Sequence, residues 1–314
     1  MNDARPLALQ SAVHARGLTK RYGEVLAVDG LELEITAGQF FGLLGPNGSG
    51  KTTTIHMLST LIRPSAGSAA VAGHDIRAEP VAVRASIGLV FQDSALDRTL
   101  SVAENLRFAG LLYNLPTAVI EKRSAELLEL FGLNDKKHRP VGSLSGGMRR
   151  ALDIVRGVIH HPQILFLDEP TIGLDLPNRR KIWRFIERLR ADTGMTVLLT
   201  THYLEEADTC DEVAFIKSGK IVQRGTPQAM VDALGRHIVE IEAADAAALA
   251  ETLRPRLGPG LGDGDVLMFR FTQEDLAPIA ALQTELGSRV KAMRVRRPNL
   301  NDVFLWVNAV QVQA

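Results

Sequence analysis

Apolar positions along this chain change their period several times, and each change marks a different element. Between residues 13 and 38, apolar and polar residues alternate, with breaks at Gly23, Gly30 and Gly38. Leu31-Glu32-Leu33-Glu34-Ile35 is the cleanest stretch and predicts a half-buried strand in an antiparallel β region. An unbroken apolar run, Phe40–Leu44, follows and has the pattern of a strand buried on both faces; Ile55, Met57 and Leu58 then recur at helical spacing. Residues 63–67 read as a turn, residues 71–73 and 87–91 as strands.

The pattern turns helical over residues 100–161. Ser101 with Glu104 forms a capping box, Leu106, Phe108, Leu111 and Leu112 continue that helix, and Pro116 breaks it. A second helix is expected over about 117–131, stopped by Gly132 and Asn134, and a third over about 149–160. Apolar strands return at 164–167 and 196–200, with a helix between them over 178–193 carrying Ile182, Trp183, Ile186 and Leu189 on its core side. A short helix near 205–209 and a hairpin turning at Ser218-Gly219 close the core around residues 225–227. Beyond lie expected strands at 237–242, 266–271 and 290–295, helices at 244–253, 274–286 and 299–306, and a flexible turn at 258–264. The expected organisation is α/β: a core over residues 11–226 with an antiparallel β subdomain and a helical insert (about 94–160), plus a small C-terminal α+β domain over 236–310.

Composition narrows the function classes. The chain has 314 residues, enough for about two domains. Lys+Arg and Asp+Glu are 36 each, so no global charge draws it to nucleic acid or an anionic membrane. One cysteine, Cys210, rules out a disulfide within the chain and suits a reducing compartment. The first ten residues lack the apolar core of a signal peptide, and no apolar run approaches the roughly 18 residues of a membrane span. A membrane role is therefore expected to need a separate partner.

The chemistry starts where the apolar run ends. Gly45-Pro46-Asn47-Gly48-Ser49-Gly50-Lys51-Thr52 meets every fixed position of G-x-x-x-x-G-K-[ST], with Thr53 next, between an expected strand and an expected helix. Glycines let successive N–H groups curl around an anion, and the helix points its positive end at the same place. Lys51 is expected to reach the β- and γ-phosphates of a nucleotide and Thr52 to hold Mg²⁺. The strand at 164–167 ends in Asp168-Glu169; Asp168 is expected on Mg²⁺, and Glu169, pointing the other way along the pleat, as general base for a water nucleophile. His202 stands just past the next strand's end, where ligands of parallel sheets gather, and is a candidate γ-phosphate contact. His56, His74, His160 and His161 have no such placement. Tyr22 is either a stacking platform or a strand aromatic, Gln92 either surface or a metal and water contact, and Ser145-Gly146-Gly147 either a plain helix cap or a second anion-binding helix end.

Taken in order, these motifs resemble the nucleotide-binding subunit of an ATP-binding cassette transporter, a phosphate-loop ATPase, over residues 13–226. The resemblance implies ATP and Mg²⁺ as cofactors, Tyr22 as adenine platform, Gln92 as hinge glutamine and metal contact, Ser145, Gly146 and Gly147 as family signature, Asp175 in the loop crossing between protomers and His202 on the γ-phosphate. It implies a homodimer, separate integral-membrane permease subunits, no nucleic acid, and peripheral attachment at the cytoplasmic face of the membrane. Residues 296–305 are similar to the tail of daunorubicin-type exporter ATPases, which implies drug export. Met148 and Leu176 depart from the commoner family glutamine and proline. Two alternatives are a soluble cassette ATPase that remodels ribosomes or DNA and, disfavoured by the missing N-K-x-D segment, a guanine-nucleotide switch.

Overall fold

The pleat expected at residues 31–35 is present in full: Leu31, Leu33 and Ile35 are buried while Glu32 and Glu34 face solvent. The structure is a computed structural model that describes residues 11–309. The expectation on the first ten residues and the expected domain end at residue 310 lie outside them. Two long strands, β1 (Ser11–Tyr22) and β2 (Val25–Thr36), open the described chain. The buried β3 (Phe40–Leu44) and α1 (Lys51–Leu58) follow, and β4 (Ala66–Val71) with β5 (His74–Asp75) returns to the first strands in an antiparallel sheet ordered β2-β1-β4-β5.

After α2 (Pro80–Ser86) and β6 (Ile87–Val90), the helical insert holds α3 (Val102–Leu112), α4 (Thr117–Leu130) and α5 (Gly146–Val158). Its own core includes Leu106, Leu128, Leu133, Leu152 and Val155. The capping box at Ser101 and Glu104 forms as expected, both halves present. The chain then runs through β7 (Ile164–Asp168), α6 (Leu176–Thr193), β8 (Thr196–Thr201), α7 (Leu204–Ala207), β9 (Glu212–Lys217) and β10 (Lys220–Gly225). A second sheet is ordered β10-β9-β3-β8-β7-β6, with β9, β3, β8, β7 and β6 parallel to one another. β3, β7 and β8 are buried at every position, so their sequences are apolar except for Asp168 at the end of β7 and the threonines of β8.

The remaining elements are α8 (Pro227–Asp232), β11 (His237–Ala243), α9 (Ala246–Leu257), β12 (Gly260–Asp263), β13 (Val266–Phe271), α10 (Ala277–Leu286), β14 (Val290–Arg296) and α11 (Leu300–Ala309). Their antiparallel sheet, β12-β13-β11-β14, covers a core of Val239, Ile241, Leu253, Phe269 and Leu282 among others. The chain divides into two compact units, Met1–Tyr203 with Thr209–Ile221, and Leu204–Asp208 with Val222–Ala314. Within the second, α11 packs on α7 and α8, and Arg296 joins Glu240 of β11 at 2.7 Å and Asp302 of α11 through two bonds of 2.7 Å.

Several local expectations are corrected. The strand expected at 71–73 is β4, which starts at Ala66; Ala72 and Gly73 turn with φ of 52° and 81°. Pairing of Val13 with Val71 and of Ala15 with Ala69 makes this weakly apolar stretch a strand. The turn expected at 258–264 is largely β12, whose Gly260 pairs with Phe269; a Cβ at Gly260 would lie 2.5 Å from that ring. Helix α5 starts at Gly146 rather than residue 149, because the Ser145 side chain caps it by accepting from Met148 N. Helices α2 and α8 were not expected from the pattern.

Candidate functional site

The site is built at the C-terminal ends of the parallel strands, where β3, β7 and β8 lie side by side. The loop Gly45-Pro46-Asn47-Gly48-Ser49-Gly50 leaves β3 and enters α1. Gly50 caps α1 with φ 109°, and a Cβ there would sit 2.6 Å from the Ala27 carbonyl, so only glycine lets the loop turn this close to β2. Lys51 is buried, and its Nζ donates to the carbonyls of Gly45 at 2.9 Å and Pro46 at 3.2 Å and lies 3.4 Å from Glu169 Oε1. Ser49 Oγ is buried with no hydrogen-bond partner among the described residues. A buried cation, an orphaned hydroxyl and a helix N-terminus at one loop fit an anionic phosphate group.

Thr52 Oγ1 donates to Asp168 Oδ1 at 3.1 Å, and Thr200 Oγ1 donates to the same oxygen. Asp168 is thus oriented by two hydroxyls at the end of β7. Glu169 does not point away along the pleat as expected. It follows the last strand residue with φ 46°, a left-handed conformation strained for glutamate. Its N–H donates to the Thr200 carbonyl at 3.0 Å, and Oε2 lies 3.1 Å from His202 Nδ1. This backbone turn, not pleat alternation, brings its carboxylate beside Lys51 and His202.

Tyr22, Asn47, Gly48, Gly50, Lys51, Thr52, Thr53, Gln92 and Glu169 line one cleft of about 470 Å³, with Ala27 and Ile172. Tyr22 is 49% exposed, and Lys20 Nζ lies 4.9 Å from its ring centroid. Ser145, Gly146, Gly147 and Asp175 do not line this cleft. Ser145 and Gly146 are exposed at the start of α5; Gly147 comes against Asn178 of α6, and Asp175 caps α6 by accepting from Asn178 N at 3.0 Å.

The ABC transporter family profile matches residues 28–172. A daunorubicin resistance ATP-binding protein, DrrA2 of Streptomyces coeruleorubidus, is 41% identical over 303 residues, covering 94% of each chain. The chain belongs to the ABC transporter ATP-binding proteins. Nod factor export ATP-binding protein I of Ralstonia nicotianae is 42% identical over 92% of this chain and 91% of its own. Among solved structures, a dimeric ATP-binding cassette bound to ADP and Pi matches with TM-score 0.63 and 26% identity over 68% of this chain and 98% of its own. CbiO1 of Clostridium perfringens, part of an ABC transporter complex, matches with TM-score 0.65 and 26% identity over 79% of this chain and 96% of its own. This ABC cassette is therefore an ATPase that powers transport, on a phosphate-loop α/β fold. The ribosome- or DNA-remodelling alternative finds no support among these relatives.

Two residues of the cassette's site escaped the sequence pattern. Thr200 is the last but one residue of β8, and a buried hydroxyl just after Val197-Leu198-Leu199 is the available signal. Arg150 is buried in α5 among Ala151, Leu152 and Ile154, and a charge within an apolar helical stripe was the signal there.

Proposed function

We propose that this cassette is the motor of an exporter in which two copies of the chain clamp ATP between them, attached to separate permease subunits at the cytoplasmic face of the membrane. The carrying observation is that the exposed helix end at Ser145 and Gly146 does not line the chain's own cleft, although it has the geometry of an anion site. Such an end is suited to complete the cleft of a second copy. Ile172 and Leu176, 38% and 51% exposed around Asp175, supply apolar contact area beside it. Among the described residues no helix is long and apolar enough to cross a membrane, which suits a peripheral subunit.

In this reading Tyr22 stacks on adenine, and the loop from Gly45 to Gly50 with Thr53 wraps the phosphates. Lys51 neutralises the β- and γ-phosphates, and His202 contacts the γ-phosphate. Thr52, Asp168 and Gln92 would hold Mg²⁺; few protein oxygens suffice for that ion when phosphates complete its shell. Bound Mg²⁺ would offset phosphate charge. Glu169, held 3.1 Å from His202, accepts the proton of the attacking water. ATP stabilises the closed pair because it binds that state better, and loss of phosphate weakens the pair. The resistance and export roles of the relatives favour drugs or other amphipathic compounds as cargo.

The test is light scattering on full-length Glu169→Gln chain with Mg-ATP, alone and beside its permease. A dimer with no phosphate release supports the reading. Single molecules under both conditions, or turnover at the parent rate, overturn it.

A further inference from the structure

Buried charges are costly unless every polar hydrogen finds an acceptor. Arg150 is 7% exposed, and its acceptors are all backbone carbonyls. Nε donates to Pro170, one terminal nitrogen to Phe91 and Gln92, and the other to Asp168 at 3.4 Å and Glu169 at 3.2 Å. A guanidinium has five N–H groups, and here each has its own carbonyl. Three of those carbonyls are consecutive and span the left-handed turn at Glu169, φ 46°. Two belong to the segment that carries Gln92.

We propose that Arg150 is a positioning residue for ATP hydrolysis: it fixes the backbones of Glu169 and Gln92 together and joins both to the helix that begins at Ser145. A left-handed glutamate persists only where its surroundings over-determine it. The Thr200 carbonyl holds the Glu169 N–H from one side, and Arg150 holds the carbonyls on the other. Arg150 lies little more than a turn beyond Ser145 on the same helix. Displacement of that helix end by contact with a second copy therefore moves the turn that aims Glu169. The link rests on the proposed general-base role of Glu169 and the proposed partner contact of Ser145. Burial pulls the Arg150 pKa below the ordinary arginine value, while Asp153, Asp168 and Asp93 oppose that pull and keep the cation.

Full-length Arg150→Lys and Arg150→Met chains test this, with Glu169→Gln in parallel. The expected result is a drop in kcat of at least tenfold with KM for ATP within about twofold, and no rescue by lysine, whose ammonium cannot serve five planar-fork acceptors. A fluorescent ATP analogue should bind both variants with parent affinity, and amide exchange should rise at residues 92–94 and 169–171. If the methionine chain does not fold, the lysine chain carries the test. Parent kcat in Arg150→Lys, or KM rising in step with a falling kcat, overturns the proposal. Parent turnover in Glu169→Gln instead removes the role on which it rests, whatever Arg150→Lys does.

Discussion

Lys51 Nζ lies 3.4 Å from Glu169 Oε1, with the two side chains only 4% and 8% exposed. The lysine that would meet the phosphates and the acid that would activate water thus share one buried ion pair. In such a site an acid beside the phosphates also repels them.

Glu169→Gln should therefore raise ATP affinity, by about threefold or more, because it removes the repulsion and releases Lys51. Equilibrium titration with a fluorescent ATP analogue measures this, and weaker binding in the variant would contradict the pairing. Lys51→Ala should do the opposite and weaken binding at least tenfold.

Ser145→Arg separates the two halves of the proposed shared site. The exposed helix end is not part of the cleft lining, so nucleotide affinity of the isolated chain should stay within about twofold. ATP turnover should fall about 100-fold, because a bulky cation replaces the helix cap. Loss of binding by the isolated chain would place Ser145 in its own cleft instead.

His160 stacks on Tyr113 at 3.6 Å between centroids, and its Nε2 lies 2.9 Å from the Ile87 carbonyl. Burial lowers its pKa from 6.5 to about 4. The unfolded chain takes up this proton below pH 6.5, while the folded chain does so only near pH 4, so stability falls as pH drops through that window. Discounting its partial exposure, the loss approaches about 2 kcal/mol at pH 4. Denaturation of His160→Asn across pH 7 to 4 should show a shallower slope, and an unchanged slope would assign it elsewhere.

Asp302 is fully buried, accepts two bonds from Arg296 and one from Asn299 N, and so pins α11 to β14. Asp302→Asn leaves Glu240, partly exposed, as the one carboxylate on Arg296 among the described residues and should cost about 2 kcal/mol. Hydrogen exchange should show α11 opening well before β11. Parent protection in α11 would mean that apolar packing alone holds it.

Much of the fold was legible because its causes are local. The capping box at Ser101, the buried runs of β3, β7 and β8 and the loop before α1 are each set by neighbouring residues. β4 and β12 were not, because their strand state comes from partners far along the chain, Val13 for Val71 and Phe269 for Gly260. α7 lies outside the unit of the strand just before it, a grouping invisible in a short amphipathic stretch.

By itself the sequence determined the phosphate loop, the acid pair at a strand end and the capping box at Ser101, since glycine spacing, apolar runs and caps act over a few residues. Only the tertiary structure decided where Glu169 points. Its left-handed turn is held by Thr200 on β8 and Arg150 on α5, and no local preference of the Asp-Glu-Pro segment selects that conformation. Long-range hydrogen bonds from two other elements supply what local propensity opposes.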